Sequence, residues 1–268
     1  MLKYLSKYIS KLIRDDDSIV ILTADNGLPD YNMLKKIHPD HILNFGISEA
    51  NMVTYAAGMA SCNKRPYVFG LASFITMRAY EQIRNDICLQ KQNVKIIGIG
   101  GGVCFANMGS SHHAIEDVTI MRAIPNMKVA CPADAEELKH FLSPNIDGPL
   151  YIRIQVTPDD NKIKKETITE FGKGIVLIEG RDLVLITTGT TLFDVYEAAK
   201  EMNKKGIYPT IVHLHTIKPL DIELIAFIAA KHKYFLIIEE HTTIGGLASA
   251  IFDALFNLRK NDVIADSL

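Results

Sequence analysis

The hexapeptide VKIIGI at residues 94–99 is an almost continuous run of apolar, strand-forming residues. A run this short, with so little polar alternation, predicts a strand that is covered on both faces, as in a parallel sheet. Comparable runs at residues 18–22, 150–154 and 183–187 are separated by longer segments with helical periodicity. This alternation predicts βαβ units and hence an α/β fold with mostly parallel sheets flanked by helices.

A polar segment interrupts this alternation near the middle of the chain. The segment QVTPDDNKIKKETITE, at residues 155–170, is charged and contains a proline, which is typical of an exposed linker. The strand–helix alternation then restarts. We therefore predict two consecutive α/β domains, at residues 1–158 and 170–268, each large enough to bury its own core.

The composition is that of an ordinary globular protein. Hydrophobic residues make up 48% of the 268 residues, and 29 basic against 31 acidic residues give a net charge of −2. This charge supplies no field that would attract nucleic acid or an acidic membrane. The four cysteines form no C-x-x-C pair and no apolar run is long enough to cross a bilayer, so we expect a soluble cytoplasmic protein.

The N-terminal segment has apolar residues at helical spacing with lysines between them. A transit peptide can have this pattern. The acidic run at residues 15–17 and the absence of a cleavage-like segment favour an amphipathic first helix packed on its own domain.

The motif GISEANMVTYAAGMA, at residues 46–60, places Glu49 in the first turn of a predicted helix of small residues. A carboxylate in a first turn interacts favourably with the helix dipole whatever its function. Spacing alone therefore leaves a structural and a catalytic role for Glu49 equally open.

The same motif resembles the pyrimidine-domain signature of transketolases and 1-deoxyxylulose-5-phosphate synthases, in which a catalytic glutamate leads into a helix rich in alanine and glycine. The resemblance continues in order through residues 67–86, 110–137, 217–221 and 239–251, and so spans nearly the whole chain. It implies a transketolase pyrimidine-binding domain followed by a transketolase C-terminal domain.

The resemblance also implies thiamine diphosphate as the cofactor. Glu49 would hydrogen-bond the aminopyrimidine nitrogen N1′ and so activate the ring, Phe74 would stack on that ring, and Leu71 would help to form its pocket. Asp25 matches an aspartate that lies near the cofactor between subunits, although a turn-forming role explains this residue almost as well.

Three further residues are implied in substrate binding. His112 matches a histidine that faces the substrate and takes part in proton transfer, whereas we interpret the adjacent His113 as structural. Arg153 matches an arginine that contacts the sugar phosphate, and Arg78 is a further candidate for that role. The implied reaction is the transfer of a two-carbon ketol unit between carbonyl or sugar substrates.

Two positions depart from the family pattern. Met108 stands where transketolases carry an acidic residue before the conserved histidine, and glycines at residues 100–102 replace a histidine expected near the phosphate. We therefore expect a substrate pocket that is more apolar and less selective for phosphate than usual. The glycine run also lacks the spacing of a dinucleotide-binding loop, and we reject that function.

No G-D-G motif, which carries the diphosphate and metal site of complete transketolases, occurs in the sequence. The resemblance therefore implies a partner, an N-terminal transketolase-like subunit that carries G-D-G and a following asparagine and holds Mg²⁺ or Ca²⁺. We expect an α2β2 assembly with the cofactor at the subunit interface. Two alternatives stay open, the β subunit of a 2-oxoacid dehydrogenase E1 component and a non-catalytic regulatory partner.

The tripeptide HLH puts His213 and His215 on one face of a predicted strand. Without a third ligand nearby, structural packing is favoured over metal binding, and we predict no metal site in this chain. The sequence continues for few residues beyond a predicted helix at 247–258, which leaves the edge of the second domain undetermined.

Overall fold

The computed structural model describes residues 1–155 and 170–268. Its strands are β1 (Ile19–Thr23), β2 (Ile42–Asn44), β3 (Arg65–Leu71), β4 (Lys95–Ile99), β5 (Lys128–Ala130), β6 (Leu150–Ile154), β7 (Ile175–Ile178), β8 (Val184–Thr187), β9 (Thr210–His213), β10 (Thr216–Lys218), β11 (Tyr234–Ile238) and β12 (Ile264–Ser267). Its helices are α1 (Leu2–Asp15), α2 (Tyr31–Ile37), α3 (Glu49–Ser61), α4 (Ala72–Arg78), α5 (Tyr80–Gln82), α6 (Asp117–Ala123), α7 (Ala135–Phe141), α8 (Thr191–Lys204), α9 (Ile222–Lys231) and α10 (Leu247–Asn257), with a π-helical segment at Ile83–Cys88. Within these two ranges, no helix has the length and hydrophobicity needed to cross a membrane.

The first sheet has the strand order β10–β5–β6–β4–β3–β1–β2. Its strands β1 to β6 are paired in parallel, and β10 alone pairs antiparallel. All five residues of β4 are buried. This central position explains why VKIIGI is apolar on both sides.

The second sheet has the order β12–β11–β8–β9–β7, with β7 antiparallel to β9 and the other pairs parallel. The prediction of two α/β units with mostly parallel sheets flanked by helices is therefore confirmed. Strand β12 pairs with β11 and forms the edge of the second sheet, which the sequence left undetermined.

Two apolar clusters cover the two faces of the first sheet. Val20 and Leu22 belong to one cluster and Ile19 and Ile21 to the other, because successive side chains of a strand point to opposite faces. The buried face of α1 lies in the second of these clusters, as the amphipathic interpretation predicts. The cluster of Val20 also includes second-domain residues from β8, β9, α9 and α10, so one core runs through both units.

The two domains also share a sheet. Strand β10 follows β9 in the second domain, yet it pairs with β5 of the first domain, through Thr216 with Ala130 and Lys218 with Val129. The first sheet therefore ends in a strand supplied by the second domain.

One predicted helix has a different form. The pattern at residues 74–89 predicts one long helix, but the structure divides it into α4, α5 and the π-helical segment. Phe74 and Arg78 consequently lie together on the short helix α4, directly after β3.

Candidate functional site

The candidate site lies where parallel strands of the first sheet end. The turn after β1, the segment between β2 and α3, and helix α4 after β3 all begin at the carboxyl edge of the sheet. Ligands of open α/β sheets commonly bind outside this edge. The fold therefore brings Asp25, Glu49, Leu71 and Phe74 to the same edge.

The turn after β1 is held tightly against β3. The Asn26 side-chain oxygen accepts a hydrogen bond from the Leu71 backbone N–H at 3.1 Å. Gly27 has a φ of +79°, and a Cβ there would lie 2.7 Å from Gly70 Cα, so only glycine fits. These contacts fix Leu71 at the start of α4.

Asp25 is a turn residue with an exposed side chain and a φ of +60°. Its backbone N–H donates to the Asn44 side-chain oxygen at 3.0 Å, and its carboxylate accepts from the Asn44 amide at 3.2 Å. The same Asn44 oxygen accepts from Gly46 N–H at 2.9 Å. Asp25 thus helps to position the segment that leads to Glu49, and its contact with a cofactor stays a prediction.

Glu49 is the first residue of α3 and is only 3% exposed. Its Oε1 accepts a hydrogen bond from Arg78 Nη1 at 2.9 Å, which forms an ion pair between α3 and α4. A buried carboxylate requires such compensation. Arg78, a further candidate for substrate binding from the sequence, contacts Glu49 in the structure, and its contact with a substrate stays a prediction.

An aromatic cluster continues from this ion pair. The Arg78 guanidinium carbon lies 4.1 Å from the centre of the Phe74 ring. The His112 ring packs edge-on against Phe74 with 5.0 Å between centroids. Glu49, Arg78, Phe74 and His112 therefore form one continuous chain of contacts, which unites four of the residues singled out from the sequence.

Arg153 has its own set of partners and is 3% exposed. Its guanidinium forms a buried ion pair with Asp117 at 2.9 Å and donates to the carbonyl oxygens of Ala114 at 3.0 Å and Glu240 at 2.9 Å. The Tyr151 hydroxyl also donates to Asp117 at 2.6 Å. The pKa of Tyr151 is raised, mainly because the hydroxyl is buried and secondly because the Asp117 carboxylate is negatively charged. These contacts favour a structural role for Arg153, and its contact with a substrate phosphate stays a prediction.

The glycine run has a steric explanation. A Cβ on Gly100 would lie 2.1 Å from the Phe105 ring, and a Cβ on Gly101 would lie 2.6 Å from the Arg153 guanidinium. A Cβ on Gly102 would lie 2.3 Å from the Glu240 carboxyl carbon. Larger side chains, including histidine, therefore do not fit this run as it is packed here.

His213 and His215 do have a third potential ligand beside them, so the expectation that none lies nearby is wrong. Glu137 Oε2 lies 3.1 Å from His213 Nε2, and the three residues form a buried group with one ligand atom from each within 4.8 Å. Glu137 belongs to α7 of the first domain, far from both histidines in sequence. The sequence therefore offered no signal of this proximity.

Comparisons with known proteins match both halves of the chain. A model of the family "Transketolase, pyrimidine binding domain" matches residues 1–157, and one of "Transketolase, C-terminal domain" matches residues 172–262. A subunit of the apulose-4-phosphate transketolase of Phocaeicola vulgatus is 32% identical over 91% of this chain and 80% of its own length. A putative transketolase C-terminal section of Methanocaldococcus jannaschii is 36% identical over 89% of this chain and 76% of its own.

A solved structure agrees with these relatives. It is described as a split gene transketolase in an inactive beta4 tetramer, and its match has a TM-score of 0.87 at 33% identity, covering 99% of this chain and 87% of that one. The resemblance drawn from the sequence is thereby confirmed. This chain belongs to the transketolase family and comprises its pyrimidine-binding and C-terminal domains.

Proposed function

We propose that the protein is the C-terminal subunit of a split, thiamine-diphosphate-dependent transketolase that transfers a two-carbon ketol unit between carbonyl or sugar substrates. The observation that carries this proposal is the buried Glu49 carboxylate, which Arg78 links to the Phe74 ring, at the carboxyl edge of a parallel sheet. The relatives named as transketolase subunits or sections support the reaction class.

The residues present fit the pyrimidine end of the cofactor. A flat heteroaromatic ring requires an apolar or aromatic surface and a hydrogen-bonding group at its edge. Phe74, with Leu71 at the start of the same helix, supplies the surface, and Glu49 supplies a carboxyl group that is almost fully shielded from water.

Thiamine diphosphate, when bound, supplies a nucleophilic carbon that no protein side chain provides. With the cofactor bound, Glu49 would hold or exchange a proton at N1′ of the aminopyrimidine, and Phe74 would orient the ring. Arg78 pairs with Glu49 in the free chain, and this ion pair would open to let the carboxyl group reach the pyrimidine. His112, whose ring packs against Phe74, would exchange a proton with the substrate.

The diphosphate end and its metal belong to a second subunit in this proposal. The sequence contains no G-D-G motif, and in the part of the chain that the structure describes no group of three metal ligands lies beside Glu49. Exposed apolar side chains on the surrounding segments supply a surface for a partner, namely Ile47, Met77, Val103 and Met108. We propose an α2β2 complex with an N-terminal subunit that holds Mg²⁺ or Ca²⁺ with the diphosphate.

Co-purification tests whether the cofactor site is shared between two subunits. The chain is expressed with a separately encoded candidate subunit that carries G-D-G and a following asparagine, and thiamine diphosphate binding is titrated on each chain and on the pair. We expect the pair to bind cofactor well and each chain alone to bind it poorly. Tight metal-dependent binding by this chain alone would contradict the proposal.

Glu49→Gln tests the catalytic role in the same complex. We expect cofactor binding to be retained and ketol transfer to fall by at least about 10²-fold, because the amide cannot exchange the proton. The matched control is Glu116→Gln, an exposed carboxylate in the loop that follows His112, which should leave activity unchanged. Assays with a 2-oxoacid donor and with a ketose donor distinguish transketolase from dehydrogenase chemistry.

A further inference from the structure

The buried group of Glu137, His213 and His215 joins the two domains. Glu137 lies on α7 of the first domain, His213 ends β9 of the second domain, and His215 follows two residues later. Glu137 is 1% exposed and both histidines are 0% exposed. Alternate residues of an extended segment face the same side, which is why both histidines lie near Glu137.

The spacing of this group approaches that of a metal site. In tetrahedral zinc sites with bonds of about 2.0–2.1 Å, neighbouring ligand atoms lie about 3.3 Å apart. The 3.1 Å between Glu137 Oε2 and His213 Nε2 agrees with this spacing. The ligand atoms of all three residues lie within 4.8 Å, so a displacement of His215 by about 1.5 Å would complete three corners of a tetrahedron.

Outer contacts orient two of the ligands. The Ala133 backbone N–H donates to Glu137 Oε2 at 2.7 Å. His215 Nε2 lies 2.9 Å from the Glu170 carbonyl oxygen, which can only accept, so this nitrogen carries a proton; in the neutral ring Nδ1 then carries the lone pair. A histidine fixed in this way by a backbone carbonyl is the usual arrangement of a metal ligand. The Phe141 ring, 5.5 Å from that of His215, provides an apolar wall.

The types of ligand in this group indicate which metal it would bind. Two imidazoles and one carboxylate suit Zn²⁺, whereas Mg²⁺ and Ca²⁺ prefer oxygen ligands alone. A hydrogen bond between Glu137 and His213 without a metal explains two of the three residues. A metal ion would bind a nitrogen of His215 as well and so involve all three residues of the group.

We propose that Glu137, His213 and His215 bind one Zn²⁺ ion, with water as the fourth ligand, and that this ion fastens the first domain to the second. The site is structural and separate from the metal that a partner subunit would hold with the diphosphate. The proposal therefore does not depend on the proposed enzymatic function.

The test measures metal in the full chain after expression in minimal medium supplemented with Zn²⁺ and dialysis against EDTA. We expect about one zinc per chain by elemental mass spectrometry, and its loss in Glu137→Gln, which preserves side-chain size, and in His213→Asn, which leaves a shorter polar side chain. The control His232→Asn, a partly buried histidine bonded to Thr210 in the same domain, should keep the metal.

A second measurement uses the unaltered chain and does not depend on the variants folding. Chain expressed with Co²⁺ in place of Zn²⁺ should show the visible absorption of a tetrahedral cobalt centre, and zinc-loaded chain should unfold at a higher temperature than zinc-free chain. A wild-type chain without zinc or cobalt would overturn the proposal. Full zinc retention in both variants would do so as well.

Discussion

At the scale of single residues, the ion pair of Glu49 and Arg78 is asymmetric. The Glu49 side chain is 3% exposed, whereas that of Arg78 is 48% exposed. The guanidinium therefore covers the carboxylate from the solvent side and also stacks on Phe74. Removing this cation leaves a buried charge with less compensation.

Arg78→Met tests this contact. Methionine keeps an extended side chain over Phe74 but carries no charge, so we expect the free energy of unfolding of the chain to fall by about 1–2 kcal/mol, a value reduced because Arg78 is half exposed. Urea denaturation measures this change. Arg84→Met, which removes an exposed arginine whose side chain donates a hydrogen bond to its neighbour Asn85, is the control. Equal stability of both variants would contradict the argument.

Lys95 gives a second prediction, on pH dependence. It is 2% exposed in β4, its Nζ donates to the Ile146 carbonyl oxygen at 3.0 Å, and burial lowers its pKa to about 8. An unfolded lysine keeps its proton up to about pH 10. The unfolded chain therefore binds more protons between these values, and this residue makes the fold more stable as pH rises through that window.

Lys95→Met removes this titration. We expect the free energy of unfolding of wild type to rise, relative to that of the variant, by about 1 kcal/mol per pH unit between about pH 8 and pH 9.5. Taking the difference cancels other groups, including the Cys88 and Cys131 thiols, whose pKa burial raises to about 12. Denaturation midpoints across this range supply the measurement, and a difference that stays constant with pH would refute the assignment.

The candidate site could be predicted from the sequence only in part. Glu49, Phe74 and His112 were found because local motifs carry them, and the structure brings them together. The burial of Arg153 could not be predicted, because its partners Asp117 and Glu240 lie 36 and 87 residues away in sequence.

At the scale of elements, helix α10 begins with a cap from a distant residue. Glu239, at the end of β11, accepts from the backbone N–H groups of Leu247 at 2.7 Å and Ala248 at 2.8 Å. A Cβ on Gly246 would lie 2.4 Å from this carboxylate. The carboxylate thus satisfies donors that the first turn leaves without a partner and interacts favourably with the helix dipole.

Glu239→Ala should therefore lower the free energy of unfolding by about 1–2 kcal/mol, because two buried N–H groups lose their acceptor. Glu239→Gln keeps one acceptor and should lose less. The comparison variant is Asp253→Ala, an exposed carboxylate on the same helix, for which we expect almost no change. If Glu239→Ala matches Asp253→Ala in thermal unfolding, the cap contributes nothing.

Element prediction succeeded where patterns were long and failed where they were short or interrupted. The sequence predicted α3 and β4 almost residue for residue. It missed α2, whose few residues have little periodicity, and it joined α4 to the π-helical segment because both bury apolar residues along one continuous stretch.

At the scale of the whole molecule, contacts across the domain boundary are numerous and buried. Arg153 of the first domain donates to the Glu240 carbonyl, and the Gln155 side chain contacts both the Glu240 carboxylate and Thr190. With β10 added to the first sheet and one apolar core common to both units, we expect the chain to unfold as one cooperative unit.

A double-mutant cycle on Asp117 and Arg153 tests how strongly this buried ion pair of the first domain, beside the boundary, is coupled. Asp117→Asn and Arg153→Met should each lower the free energy of unfolding by about 3 kcal/mol or more, because each leaves a buried charge without its partner. The double variant should lose much less than the sum. Additive losses would show that the two residues act independently, and Arg181→Met, at an exposed arginine, controls for charge alone.

The sequence predicted two domains but gave no indication that they share a sheet. Strand β10 is three residues long, and its antiparallel partner β5 is equally short and far away in the chain. Pairing between such remote short strands depends on the packing of the complete molecule, which local patterns do not encode.

The strand that crosses between the domains has a consequence for any shortened form of the protein. A polypeptide that lacks the second half would leave the amide and carbonyl groups of β5 facing water at a bare margin of the sheet. Such margins recruit strands from other molecules. Truncated chains should therefore precipitate or form mixed oligomers instead of persisting as a soluble first half.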